Sequence, residues 1–369
     1  MRNFLIVSLL FLSVGCEKTK ITNNDRFASD QQEMLTHLGE NLILPSLLDL
    51  ESKTASLSTQ ANAFSSELTI ENLALLKESW RLAYIQWQVT AFYQFGPALY
   101  EGFISLNIYP ANTLLIQDYI TSGTYDLKTA GATLAKGFPA LDYMLFGYSA
   151  TESELLVALS GNQNAVDYIK NLCANIHETV SLVANGWKSD QGNYVSTFSN
   201  NLGTSSGGGI SLMVNSWSQY MEAHLRNAKV GTPNGNSVVT SERFGPFPEK
   251  SEAYYNSSIT LDLLKTSLQT LYNFYMGIAP DGTDGKGLYD YLKIINAQNG
   301  TLADDYAARI RSAQTETDQL NPLFTDAIIN QGTEVTDVFN ELKALVALLK
   351  VDMVSALSIS ITYADNDGD

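Results

Sequence analysis

Ile210, Met213, Val214, Trp217, Tyr220, Met221 and Leu225 recur at steps of three and four residues. That spacing places them on one face of an α-helix, where residues i, i+3, i+4 and i+7 lie above one another. The same stripe returns at Leu73, Leu76, Trp80, Ala83, Tyr84 and Trp87, and again at Val335, Val338, Phe339, Leu342, Leu345 and Val346. No series of strands alternates with these helices, so the pattern predicts an all-α fold of packed amphipathic helices. A chain of 369 residues exceeds what one core usually holds, which predicts two helical bundles. Breaks fall at Pro45, at Ser122-Gly123, in the Ser/Gly/Asn-rich stretch 199–209 and in a polar loop at 231–241. The expected domains are therefore 31–200 and 210–369, joined by a linker at 201–209. Ser79-Trp80 precedes Phe95-Gly96-Pro97, and Ser216-Trp217 precedes Phe244-Gly245-Pro246; this echo predicts that the bundles arose by duplication.

The N-terminus has the layout of a secretory signal over residues 1–15. Met1-Arg2-Asn3 supplies a positive start, residues 4–14 are an apolar run, and Gly15-Cys16 ends it. The run is about half of the ~20 helical residues that a bilayer crossing takes. Cys16, directly after a small residue, is the natural site for lipid attachment in a bacterial lipoprotein, and the polar segment 16–30 reads as its tether. Cys173 is then left without a disulfide partner, so packing must supply stability. The net charge of -17 repels nucleic acid and anionic head groups; solubility accounts for it.

Several motif-like patterns carry no chemistry. Gly203-Thr204-Ser205-Ser206-Gly207 satisfies G-x-S-x-G, but a nucleophile elbow needs a strand entering and a helix leaving. The run 207–209 lacks the G-K-[ST] of a phosphate cradle. Glu33, His37 and Glu40 share one helical face, yet a closed metal site needs further ligands. His177 beside Glu178 and His224 two from Glu222 point away from those neighbours. With three His in all and no H-E-x-x-H, a conventional zinc peptidase site is absent. The tail 365–369 opens like a calcium loop but ends before the bidentate Glu. Aromatic residues crowd 92–146, where a bundle core is the expected reading and a cleft wall the alternative.

The segment Lys136-Gly137-Phe138-Pro139-Ala140-Leu141-Asp142-Tyr143-Met144-Leu145-Phe146-Gly147 resembles the signature of the imelysin family, which carries G-x-H-x-x-E where this chain reads G-x-P-x-x-D. Four further blocks agree: Ser79-Trp80-Arg81-Leu82-Ala83-Tyr84 leading into Ala91-Phe92-Tyr93-Gln94-Phe95-Gly96-Pro97, then Leu106-Asn107-Ile108-Tyr109-Pro110, Arg243 to Glu252, and the tail from Ile361 to Asp369. Many relatives carry Glu where this chain has Thr90. A His and a Glu three apart share a helix face and suit a common metal or proton. Proline has no ionisable group and no N–H, though its fixed φ fits a first helical turn.

The resemblance implies an imelysin-like cell-envelope lipoprotein, facing the periplasm or held at the outer membrane of a Gram-negative bacterium. Its expected role is a non-catalytic one linked to iron or haem uptake, binding a small ligand or an envelope protein partner. The alternative is a metallopeptidase of the imelysin type with a degenerate motif. Candidate ligand-binding residues are Trp80, Gly137, Phe138, Pro139, Asp142, Tyr143 and Glu252. Asp142 is the one candidate metal ligand, Cys16 the lipidation site, and no catalytic residue is assigned. Iron enters as a cofactor through the resemblance alone.

Overall fold

The computed structural model describes residues 23–236 and 244–362. Cys16, Arg243 and the tail 365–369 lie outside them. Among the described residues every named element is helical, and an isolated bridge joins Ile278 and Asp284.

Three stretches run as long helices that pass through a wider π-helical turn without leaving helical φ and ψ. The first is α1 (Asn23–His37), a π segment (Leu38–Ile43) and α2 (Leu44–Ser66). Pro45 therefore does not break the chain, as its sequence context predicts, but sits at the first positions of α2. The wider turn relieves the clash a proline ring makes with the carbonyl four residues back. α3 (Ile70–Thr90) follows, capped by the Thr69 hydroxyl, which accepts from Asn72 N at 3.2 Å. Then come the short α4 (Gly137–Asp142) and the long α5 (Gln163–Trp187). In the second half, α6 (Gly209–Gln219) runs into a π segment (Tyr220–Gly231), and α7 (Thr260–Met276), α8 (Leu302–Asp318) and α9 (Gly332–Ala347) complete the frame. The sequence break at Ser122 is a true stop, because Gly123 takes a left-handed φ of 64°.

All three apolar stripes are buried, as their spacing predicts. α2 packs on α3 and α5, α8 packs on α7 and α9, and α7 lies against α3 across the seam. The buried apolar residues form one contiguous cluster from Met34 to Ile359. The stretch 199–209 is held by hydrogen bonds. Gly203 N donates to Gln31 Oε1 at 3.0 Å, Gln31 Nε2 donates to Gly203 O at 3.2 Å, and Gly209 N donates to Asn201 O at 2.8 Å. Within the described part, α1 starts at Asn23, and Asp30 is paired with Lys286 of the second half at 2.6 Å.

Candidate functional site

The motif segment is placed by backbone geometry first. Gly137 has φ +73°, and a Cβ there would lie 2.1 Å from the Leu106 carbonyl oxygen, so only glycine fits. From that turn α4 starts, with Pro139 in its first turn, where a missing N–H leaves no helical bond unmade. Trp80 Nε1 donates to the Phe138 carbonyl at 3.2 Å. The Phe138 ring stacks on Tyr84 at 4.7 Å. Both Phe138 and Pro139 are buried, so the position that carries His in the signature here faces packed core.

Asp142 is 2% exposed. Its Oδ2 accepts from Tyr255 N and its Oδ1 from Asn256 N, each at 2.9 Å. Burial pushes its carboxyl up to about 7; the two N–H bonds oppose this and the nearby Glu252 charge reinforces it. Tyr143, the next residue, starts a π segment (Tyr143–Gly147). Its hydroxyl accepts from Gln117 Nε2 at 2.7 Å, and its ring lies 5.3 Å from that of Tyr255. Gly147 leaves room for the same Tyr255 ring, which a Cβ would approach to 2.2 Å. The carboxylate thus acts as a clasp on the loop that carries Tyr255 and Asn256.

Beside it lies a buried polar cluster that joins the two halves of the chain. Glu252 Oε1 accepts from Gln88 Nε2 at 2.9 Å and from Asn107 Nδ2 at 2.7 Å, while its Oε2 pairs with Lys229. The Tyr84 hydroxyl donates to Asn107 Oδ1 at 2.6 Å, and Ser267 Oγ donates to Gln88 Oε1 at 3.1 Å. Burial lowers the Lys229 ammonium and Glu252 opposes that. Tyr84, Tyr109 and Tyr220 are all raised, first by burial and then by the Glu252 charge. His224, whose ring lies 5.6 Å from Tyr220, is pushed down to about 4 by burial and then by Lys229. Glu252 is ringed by donors, which satisfies a carboxylate but leaves few acceptors for a cation.

The structure therefore gathers Trp80, Gly137, Phe138, Pro139, Asp142 and Tyr143 into one unit, with Glu252 as its electrostatic neighbour. Gln88, Asn107 and Lys229 are the members that sequence reasoning missed. Lys229 did leave a signal, since it stands four residues after Leu225 and continues the buried stripe. Among the described residues no three His, Cys, Asp or Glu are grouped to hold a metal ion. On the Glu33, His37 and Glu40 face both glutamates are exposed and His37 is half-buried. His37 Nε2 donates to Gly277 O at 2.7 Å, its Nδ1 accepts from Asn41 at 3.0 Å, and Glu33 pairs with Lys286 at 2.6 Å. Of the aromatic residues around the motif, Phe92, Tyr93, Phe95, Phe103 and Phe138 are core, whereas Tyr100 is 85% exposed.

The chain as a whole is similar to known proteins. Iron-regulated protein A of Synechococcus elongatus is 24% identical over 360 residues, covering 91% of this chain and 89% of its own length. Among solved structures, an iron-regulated protein A precursor from Parabacteroides distasonis superposes with a TM-score of 0.68 at 16% identity, over 89% of this chain and 95% of that one. An imelysin-like protein from Psychrobacter arcticum gives the same TM-score at 15% identity, over 91% and 98%. The family model for imelysin matches residues 43–350, and the chain belongs to the imelysin family.

Proposed function

We propose that this imelysin-family protein is a cell-envelope lipoprotein that binds a ligand or a protein partner in iron or haem uptake, and that it is not a peptidase. The similarity to iron-regulated protein A supports the link to iron. The observation that carries the non-catalytic part is the state of Asp142. Both of its oxygens are taken by backbone N–H groups, and the residue three positions before it is a buried proline with no nitrogen lone pair to offer. Borderline metals such as zinc and ferrous iron favour imidazole nitrogen, and one carboxylate does not hold them alone. The envelope setting rests on the run ending at Gly15-Cys16; no helix among the described residues is long and apolar enough to cross a membrane.

One observation favours the second reading, a metallopeptidase with a degenerate motif: a carboxyl near 7 suits a general base. Against it, a base must reach substrate, and Asp142 is enclosed. Calorimetric titration with ferrous iron and zinc tests the choice. The wild type is expected to give no stoichiometric binding, and Pro139→His with Asp142→Glu to gain affinity. Tight binding by the wild type that disappears in Asp142→Ala, together with cleavage of a casein substrate, establishes the peptidase instead. Mass spectrometry of the native N-terminus tests the anchor: a diacylglyceryl mass on Cys16 is expected, and a bare thiol rejects it.

A further inference from the structure

We infer that the seam between the two halves carries a ferric-iron site whose protein ligands are the phenol oxygens of Tyr109 and Tyr220 and the imidazole of His224, apart from the motif segment. The choice of metal rests on the proposed role in iron uptake, and the choice of ligands rests on the geometry.

Tyr220 and His224 stand four residues apart on the π segment Tyr220–Gly231, and their rings lie 5.6 Å apart at an interplanar angle of 27°. Residues so spaced share one helical face. Tyr220 is 3% exposed, and its Oη is buried without a hydrogen-bond partner. Ser251 Oγ, one residue before Glu252, is buried and unpartnered in the same way. A buried polar atom left so calls for an explanation, and an ion that enters the site supplies one. Tyr109 comes from the first half of the chain, two residues after Asn107, whose Nδ2 donates to Glu252 at 2.7 Å. The charges of Glu252 and Tyr220 both act on its hydroxyl. Tyr109 and His224 are only half-buried, so the cluster opens towards solvent.

The donor set selects the ion. Burial, and then Lys229, push His224 down to about 4, which keeps its imidazole neutral at pH 7, the form that binds metal. Burial and then the Glu252 charge raise Tyr109 and Tyr220, so neither phenol ionises alone. A ferric ion reverses that. Two O–H bonds break, two Fe–O bonds form, both protons leave to water, and no electron moves. The positive charge that remains lies near Glu252, whose own oxygens stay with Gln88, Asn107 and Lys229 and act through charge alone. Tyrosine oxygen and imidazole nitrogen are both established iron ligands. Zinc and ferrous iron, which favour nitrogen, find a single imidazole. The remaining coordination positions are left to a chelating anion carried in with the metal.

Titration of the full chain with ferric nitrilotriacetate, followed by visible absorption, tests this, because a tyrosinate-to-iron charge-transfer band reports a phenolate bound to ferric iron. The wild type is expected to develop the band stoichiometrically. Tyr109→Phe and Tyr220→Phe are each expected to weaken it and the double substitution to abolish it, while Tyr100→Phe, at a tyrosine that is 85% exposed, leaves it unchanged. Tyr220→Phe removes a hydroxyl that no partner holds, so its helical circular dichroism is expected to match the wild type. His224→Ala is expected to weaken binding by about tenfold or more. No band in the wild type, or a band that survives the double substitution, overturns the site. Growth of a gene-deletion strain at limiting iron reads the proposed role separately: impaired growth without a band rejects the site and keeps the role, and normal growth with the band keeps the site and rejects the role.

Discussion

Gly137 and Asp142 show how a signature segment can keep its shape after losing its chemistry. At Gly137 the neighbour of an added Cβ is the Leu106 backbone, which cannot rotate away. Gly137→Ala is therefore expected to cost about 3 kcal/mol, read as a shift in the urea midpoint. Asp142 makes a prediction in pH. Folded, it holds its proton up to about 7, against 3.8 for an ordinary aspartate. The folded state binds more protons than the unfolded one between those values, so the stability that Asp142 contributes is full below 3.8 and is lost as pH rises through about 7. Urea midpoints of wild type and Asp142→Asn, compared from pH 4 to 8, are expected to diverge in that sense, with the wild type losing ground as pH rises. A constant difference across the range refutes it.

At the scale of elements, the π segment Tyr220–Gly231 matters because it turns Lys229 inward to meet Glu252. Removing one member of a buried pair strands the other charge. Glu252→Gln is expected to cost about 3 to 5 kcal/mol, while Lys229→Met combined with Glu252→Gln recovers most of that loss in a double-mutant cycle. Additive losses reject a coupled pair. A simpler local device starts the helix Glu152–Ser160. There Thr151 and Glu154 form a reciprocal capping box, with Glu154 N to Thr151 Oγ1 at 3.2 Å and Thr151 N to Glu154 Oε2 at 3.1 Å. Thr151→Ala is expected to cost about 1 kcal/mol in thermal or urea unfolding. The capping box follows from adjacent residues, whereas the Lys229 pair needs two segments brought together by the fold.

For the whole molecule, the two halves are tied at many points. Ser267 reaches Gln88, the Gln94 backbone N–H donates to Ser216 Oγ at 3.0 Å, and α1 reaches across to Gly277 and Lys286. The turn at 203–207 is nonetheless exposed. A protease is expected to nick it, and the fragments to elute together on native gel filtration because the core runs through both. Fragments that separate and stay helical identify independent domains.

The amino-acid sequence by itself determined the helices and their buried faces, because a stripe at 3.6-residue spacing is a local property that survives almost any packing partner. It also determined that Pro139 offers neither an imidazole nor an N–H. Only the tertiary structure decided what the remaining polar residues do. Asp142 meets Tyr255 and Asn256, and Glu252 meets Gln88, Asn107 and Lys229, across distances in sequence that no periodicity spans. A buried polar group takes its role from its partner, and partners distant in the chain are chosen by packing.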